Sequence, residues 1–352
     1  MTKGGKRWKK FSVFFLIIIV VCAFGIYLII FPPAFFFANN KAQVEEASDT
    51  LASSTSACEG CVRRLLDGVY TTLEKNNPMP VAVAIDNQEE AWPNFGLSQA
   101  SLVYEVETEA KITRYLVLFV DLENLNQIGP IRSARPYLVS LAEENGAVFI
   151  HCGGSQAALD LIKKNKVKDL NEYYNAPYFW RDSNLAGPHN VFSSGSKIQD
   201  YLNDKEYRTG SFFGWNFKDE LPQEQRPVES RLIKIGFREP YNVDWQYDLA
   251  SNSYVRFLNN SVHLDNEQEI RARNIVIQRV AQTIIDKDLR LKVDLEGKGE
   301  AIICLDGACR TGFWQKNNSA KTRYYYDDNS EVFFIDGPTW VELVGESILV
   351  SY

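Results

Sequence analysis

Two arginines stand three residues apart in the stretch GPIRSARPY, residues 129–137, directly after a Gly-Pro turn. Arg132 and Arg135 would place two guanidinium groups at the start of a predicted helix, with Ser133 as its cap. Helix N-termini present unpaired N–H groups and a partial positive charge, so this pattern suits phosphate or carboxylate oxygens. Arginines at such junctions also pair with acidic neighbours, and the pattern leaves that structural alternative open. The acidic candidates are Glu105, Glu107 and Glu109.

A second turn, GGS, follows the apolar segment AVFIHC and precedes QAALDLIKKN. Its glycines free the backbone to approach a ligand, and Ser155 is a suitable helix cap. Together with the arginines, this turn predicts a site for phosphate or pyrophosphate. The candidate ligand-binding residues are Asp86, Arg114, Arg132, Arg135, His151, Gly153, Gly154, Ser155, His189 and Asn190.

Histidines limit what acid–base chemistry is available, because the chain has only three. His151 ends a predicted strand and His189 lies in AGPHN, so both can reach the sheet edge that carries Asp86. Such a group could act as a general acid–base or bind a metal as two imidazoles and a carboxylate. A histidine beside Gly or Pro is more often a hydrogen-bonded structural residue. The sequence therefore assigns no catalytic residue and no resident metal.

The sequence lacks the common hydrolase and phosphate-loop motifs, and one enzyme alternative remains. The sequence has no G-x-S-x-G elbow, no H-E-x-x-H helix and no phosphate loop ending in G-K-S/T. The arginines could still hold the pyrophosphate of a lipid-linked glycan, with Asp86 or Asp121 on a magnesium ion. Magnesium is expected only under this alternative, and otherwise no cofactor is expected.

The cysteines form two close pairs, Cys58 with Cys61 and Cys304 with Cys309. In an exported chain such pairs are expected to form disulfides. A zinc site with four thiolates is the alternative interpretation. Cys152 lies in an apolar run and is expected to be buried and inert.

The candidate residues must be positioned by strands in the first part of the chain and by helices after them. The segments VAVAIDN, LVYEVE and RYLVLFV predict three strands, and strand–loop–helix then occurs twice in about fifty residues. This pattern predicts an α/β domain with a mixed sheet over residues 78–230. From residue 231 to 352, short alternating strands predict a smaller β-rich domain. Its aromatic residues could stack on sugars, but they more often fill a small core.

The N-terminus predicts attachment to a membrane. Residues 1–10 form a basic leader, and residues 11–31 carry no charge and would span about 31 Å as a helix. We therefore expect one transmembrane anchor with the remainder outside the cytoplasm. A cleaved signal peptide is the competing interpretation, and Val21 before Cys22 makes a lipid anchor the weaker third. Residues 38–77 predict an extracytoplasmic linker that contains the first cysteine pair.

The charge balance argues against nucleic acid as a partner. The chain has 38 Lys and Arg against 45 Asp and Glu, and five of the basic residues lie in the leader. A strongly acidic exported part repels polyanions over most of its surface. Any anion site must therefore be local.

Three stretches together carry a family resemblance: VAVAIDNQEEAWPNFGLSQASLVYEVETEAKITRYLVLF, IGPIRSARPYLVSLAEENGAVFIHCGGS and RDSNLAGPHNVFSS. With the pattern from YVRFLNNSVHLD to FFIDGPTWVELV, they resemble the YerB-like family of bacterial envelope proteins, a family of unknown function often found on lipoproteins. The resemblance covers roughly residues 78–344. It implies a two-domain extracytoplasmic protein linked to cell-wall biology.

These observations favour a membrane-anchored extracytoplasmic binding or regulatory protein of the bacterial envelope. Its expected partner is an anionic cell-wall precursor or a wall-synthesis protein. The alternatives are the magnesium-dependent enzyme and a purely structural envelope protein.

Overall fold

The computed structural model describes residues 60–229, 232–318 and 320–352. Strands dominate this part of the chain, and its α-helices are three short ones: α1 Pro136–Glu144, α2 Gln156–Asn165 and α3 Gly195–Asp204. Single 3₁₀ turns span Leu73–Lys75, Glu89–Ala91, Leu97–Gln99, Glu109–Lys111, Glu172–Tyr174, Ala176–Tyr178 and Gln223–Gln225.

The earlier strands, in chain order, are β1 Val62–Arg63, β2 Tyr70–Thr71, β3 Val81–Asp86, β4 Leu102–Glu107, β5 Thr113–Phe119, β6 Val148–His151, β7 Asp169–Asn171, β8 Trp180–Arg181, β9 Val191–Phe192 and β10 Asn216–Lys218. The later strands are β11 Leu232–Ile235, β12 Val243–Asp248, β13 Ser253–Leu258, β14 Ser261–Val262, β15 Leu264–Asp265, β16 Gln268–Glu269, β17 Arg271–Ala272, β18 Asn274–Val280, β19 Gln282–Ile284, β20 Leu291–Val293, β21 Gly297–Leu305, β22 Ala308–Lys316, β23 Arg323–Tyr326, β24 Phe333–Ile335, β25 Thr339–Gly345 and β26 Val350–Ser351.

A central sheet of ten strands runs in the order β23-β22-β21-β18-β25-β4-β5-β3-β6-β7. The pairs β18–β25, β25–β4, β3–β6 and β6–β7 are parallel, and the other neighbours are antiparallel. Every residue of β3, β4 and β5 is buried, which explains their nearly continuous apolar sequences. The parallel pairing of β25 with β4 joins strands from both predicted domains in one sheet.

Two cores cover the two faces of this sheet. On one face, Val83 and Val117 share a core with Ile233 and Trp245 of a six-stranded antiparallel sheet made of β11, β12, β13, β14, β17 and β26. On the other face, Ala84 and Leu116 pack with residues of α1 and α2. The aromatic residues of the second half fill these cores, as the sequence favoured. Those buried are Trp245, Tyr254, Trp314, Tyr324 and Trp340.

The predicted fold class, an α/β domain with a smaller β-rich domain behind a transmembrane helix, is wrong. The two strand–loop–helix units exist, but their helices have only nine and ten residues. The sheet continues into strands from the second half of the chain, and a second sheet rather than a helical layer covers one of its faces. The described chain is therefore β-rich with few helices.

The predicted anchor at residues 11–31 lies outside the described residues. Within residues 60–229, 232–318 and 320–352, no helix is both long and apolar enough to cross a bilayer. The leader at residues 1–10 and most of the predicted linker, residues 38–59, also lie outside the described part.

The second cysteine pair closes the hairpin between β21 and β22, where Cys304 and Cys309 form a disulfide. Cys61 is also disulfide-bonded, and Cys58 lies outside the described residues. Because Cys304 and Cys309 are bonded to each other, they are not free to supply thiolates to zinc.

A buried arginine connects the two sheets. Arg256 on β13 is completely buried, and its Nη2 donates to Glu105 Oε2 on β4. Its Nη1 donates to His263 Nδ1 at 2.6 Å. The guanidinium also lies over the Trp340 ring, 4.8 Å from the ring centroid. Burial lowers the pKa of Arg256, but the charges of Glu105, Tyr115 and Glu342 together outweigh burial and raise it.

Arg256→Met should lower the free energy of unfolding by about 3–5 kcal/mol, because it leaves the Glu105 carboxylate buried without its cation. Urea denaturation at neutral pH measures the change. The control is Arg271→Met, which removes a half-exposed arginine paired with Asp248 and Glu269 and should cost less than about 1 kcal/mol. Equal losses in the two variants would contradict a dominant role for Arg256.

Candidate functional site

The arginine loop lies between the ends of two parallel strands. Asp86 N donates to Pro130 O, and Arg132 N donates to Ala84 O, so residues 130–132 extend the sheet beside the end of β3. On the other side of the loop, Cys152 N donates to Arg132 O at 3.0 Å just after β6. The loop is therefore fixed by backbone hydrogen bonds on both sides.

The loop begins at Gly129, where only glycine suits the backbone conformation and the available space. Its φ of 141° is rarely adopted by residues with a side chain, and an added Cβ would lie 2.9 Å from both Phe192 Cδ1 and Val191 O. Glycine meets both constraints.

Helix α1 begins one residue after Arg135 and not directly after Ser133. Arg135 precedes Pro136, which disfavours the helical region, and it is extended with φ −129° and ψ 150°. Pro136 is then the first helical residue, a position that proline suits. Ser133 is not the cap, and its carbonyl instead accepts a hydrogen bond from Arg114 Nη1 at 3.0 Å.

Asp86 is the buried acidic centre of the site. Its Oδ2 accepts a hydrogen bond from His189 Nδ1 at 2.7 Å, and Arg132 Nε lies 2.8 Å from the same oxygen. The Arg132 contact is close, but its N–H is not aligned for a hydrogen bond, so we describe it as an ion pair. His189 Nε2 makes no hydrogen bond to the described residues. The Asp86 charge is thus shared between one guanidinium and one imidazole.

Arg135 pairs with Glu109, 2.5 Å from Nε to Oε1. Burial raises the pKa of Glu109, but the hydrogen bond and charge of Arg135 outweigh it and lower that pKa. The other two acidic candidates do not pair with the loop: Glu105 binds Arg256, and burial raises the pKa of Glu107, whose Oε1 has no hydrogen-bond partner among the described residues. The structural alternative therefore accounts for Arg132 and Arg135 only.

Arg114 has no such partner. It lies at the start of β5, opposite Asp86 in the strand register, and its side chain is buried. No carboxylate of the described residues lies within 4 Å of it, and its Nε has no hydrogen-bond partner there. Burial and the nearby Arg135 charge lower the pKa of Arg114, and the Asp86 charge opposes them only in part. Three guanidinium groups thus face two carboxylates, and one positive charge is left without an ion-pair partner.

We call this group the arginine site and define it as Asp86, Glu109, Arg114, Arg132, Arg135 and His189. Two helix N-termini flank it, because Ala134 N donates to Gly153 O and Ser155 N donates to Ala134 O. Ser155 Oγ accepts from Ala158 N at 3.3 Å and so caps α2. The dipoles of α1 and α2 add positive potential on the same side as the arginines.

The GGS turn packs closely against the arginine loop. Gly153 has φ 61°, and an added Cβ there would lie 2.8 Å from the Tyr173 ring. Gly154 packs against Ala134, where an added Cβ would be 2.9 Å from the Ala134 Cβ. The turn therefore positions the arginine loop by close packing.

His151 is a buried residue whose two ring nitrogens both have partners within the protein. It is fully buried, its Nδ1 donates to Gly153 O at 2.6 Å, and its Nε2 lies 3.2 Å from Asp169 Oδ2. It does not share Asp86 with His189. Asn190 lies beside His189, but its Oδ1 accepts from Arg181 Nη1 at 3.1 Å.

The donors proposed for magnesium do not come together. Asp121 lies beyond Phe119, at the opposite end of β5 from Arg114, and the Asp86 carboxylate is already engaged by His189 and Arg132. Within the described residues, no group of three or more His, Cys, Asp or Glu side chains is arranged to hold a metal ion. This donor set does not fit a magnesium ion, and we derive no step through one.

Sequence reasoning missed three neighbours of the site. Tyr173, Glu172 and Arg181 surround the GGS turn, and Cys152 Sγ contacts both Glu172 Oε2 at 3.5 Å and Arg181 Nη2 at 3.8 Å. Burial and the Glu172 charge raise the pKa of Cys152 to about 11, so its thiol stays protonated. The segment NEYYN offered the only signal, as two adjacent tyrosines in a polar turn.

Comparisons with known proteins cover most of the chain. A family model described as "Protein of unknown function (DUF3048) N-terminal domain" matches residues 66–208, and the corresponding C-terminal domain matches residues 233–341. The chain is 28% identical over 296 residues to "Putative lipoprotein YerB" of Bacillus subtilis (strain 168), covering 79% of this chain and 85% of that protein. It also resembles the crystal structure of YerB from Bacillus subtilis, with a TM-score of 0.73 and 26% identity over 83% of this chain and 100% of that one.

Arg114→Met should raise the free energy of unfolding by about 1 kcal/mol in a buffer without multivalent anions, because it removes a buried charge beside two like charges. Urea denaturation at low ionic strength measures it.

Arg135→Met is the matched control in the same loop. It leaves Glu109 without its cation and should lower the free energy of unfolding by about 1 kcal/mol. If Arg114→Met is as destabilising as Arg135→Met, Arg114 is a structural residue.

Proposed function

The chain belongs to the YerB-like family, the proteins of unknown function with DUF3048 N- and C-terminal domains, and from this premise we propose that it is a binding protein of the bacterial envelope. Its ligand is an anion, a phosphate or pyrophosphate group of a wall-related molecule or the equivalent group of a wall-synthesis partner. The arginine site is the place of binding.

The buried Arg114 is the observation that carries this proposal. A charged side chain taken out of water is costly unless another charge compensates it. Arg132 and Arg135 each have a carboxylate, whereas Arg114 has none within 4 Å among the described residues. A bound anion would supply the missing charge.

The surrounding geometry supports an oxyanion in particular. Guanidinium groups bind phosphate and carboxylate through paired N–H donors, and helix N-termini favour the same ligands. Arg132 keeps 18% of its side chain exposed and Arg135 keeps 14%. A ligand can therefore reach them from solvent while Arg114 lies deeper.

The relative in Bacillus subtilis supports the location, because its name describes a lipoprotein. A surface-tethered protein with an acidic body and one local cationic site is suited to selecting a particular anionic group. General adhesion to polyanions would require net positive charge, which this chain lacks.

Pyrophosphate should stabilise residues 57–352, which keep Cys58 with Cys61, against unfolding. At one hundred times its dissociation constant, the expected gain is about 2.7 kcal/mol. The double variant Arg114→Met/Arg132→Met should bind pyrophosphate about 100-fold more weakly, because charge-assisted hydrogen bonds to two guanidinium groups are lost. Isothermal titration calorimetry at fixed salt measures both affinities.

Arg310→Met is the control for a general charge effect, since Arg310 is an exposed arginine paired with Asp328 at 3.5 Å. Its affinity for pyrophosphate should equal that of the wild type. Absence of binding by the wild type at millimolar pyrophosphate, or an equal loss in Arg310→Met, would refute the proposal.

A further inference from the structure

An exposed aromatic surface adjoins the arginine site. Tyr173 and Tyr174 form the tip of a 3₁₀ turn, with 65% and 83% of their surfaces exposed. Most tyrosines of the described chain are far more buried, because their rings contribute to the core. Two adjacent exposed rings beside a cationic site are typical of a surface that contacts a ligand.

Contacts through Gly153 and Asn171 fix the position of Tyr173 relative to the arginine loop. The Tyr173 ring packs over Gly153, and Gly153 O accepts from the backbone N–H of Ala134, one of the two residues between Arg132 and Arg135. Asn171 Oδ1 accepts hydrogen bonds from both Gly153 N at 3.1 Å and Tyr173 N at 3.2 Å. One amide side chain thus fixes the ring and the turn together.

Polar groups lie beside the same 3₁₀ turn, in which Glu172 directly precedes Tyr173. Arg181 has 46% of its side chain exposed, and its Nη2 lies 3.0 Å from Glu172 Oε1. Arg181 Nη1 donates to Asn190 Oδ1. Arg181 supplies donors and Glu172 supplies acceptors, and sugar hydroxyls can use both, since each hydroxyl donates and accepts.

We infer that Tyr173 and Arg181 form a sugar subsite next to the arginine site, and that the ligand is a glycosyl phosphate. This inference rests on the proposed function. The phosphate binds Arg114, Arg132 and Arg135. The sugar ring stacks on the open face of Tyr173, with its hydroxyls toward Arg181 and Glu172. Tyr174, which has 83% of its surface exposed, takes no part.

The test compares glucose 1-phosphate with inorganic phosphate by calorimetry on residues 57–352. The wild type should bind the sugar phosphate more tightly. Tyr173→Ala should weaken the binding of glucose 1-phosphate about fivefold, the loss expected of one ring contact. Its affinity for inorganic phosphate should equal that of the wild type. Tyr173→Phe keeps the ring and should retain wild-type affinity, and so should the matched control Tyr174→Ala.

The outcomes separate this inference from the function on which it rests. If phosphate and glucose 1-phosphate bind equally in the wild type and in Tyr173→Ala, the sugar subsite is refuted while anion binding stands. If neither ligand binds, the proposed function fails first. If uridine 5′-monophosphate binds more tightly than glucose 1-phosphate and depends on Tyr173, the subsite takes a base and the sugar assignment is wrong.

Discussion

The guanidinium of Arg256 lies between the two sheets, where water cannot reach it, and the rest of the fold depends on how it is compensated. Glu105 supplies the opposite charge, and His263 accepts a hydrogen bond. Burial and the Glu105 charge raise the pKa of Glu342 well above its usual value, and burial and Arg256 lower that of His263. His263 is therefore neutral at pH 7, and the raised pKa of Glu342 favours its protonated form beside the Arg256–Glu105 ion pair.

This cluster also sets the geometry of the arginine site, because both lie on the same strands. Thr113 Oγ1 donates to Glu105 at 2.6 Å, and Asn87 Nδ2 donates to Thr113 at 2.7 Å. The next residues along the chain, Asp86 and Arg114, point to the opposite face, since side chains alternate along a strand. Ordering the buried cluster therefore orders the site without contact between them.

Arg256 and Arg114 illustrate two uses of a buried arginine in one protein. Arg256 has a carboxylate, a histidine and three aromatic rings around it. Arg114 donates to a single backbone carbonyl and makes no ion pair within 4 Å among the described residues, and the Asp86 charge nearby is set against two like charges. The first arrangement stabilises the fold. The second is costly by itself, since a buried charge needs compensation, and it is the arrangement expected of the proposed binding site.

The sequence by itself determined the short strands, the two loop–helix junctions and the family, because apolar alternation, glycine turns and motif spacing are local properties. It also offered Arg114, Arg132 and Arg135 as candidate ligand-binding residues. Only the tertiary structure decided that Asp86 and Glu109 pair with two of them and that the third is left over, because ion pairing depends on which strands become neighbours. The error in fold class has the same origin: the pairing of β25 with β4, residues more than two hundred positions apart, leaves no local trace.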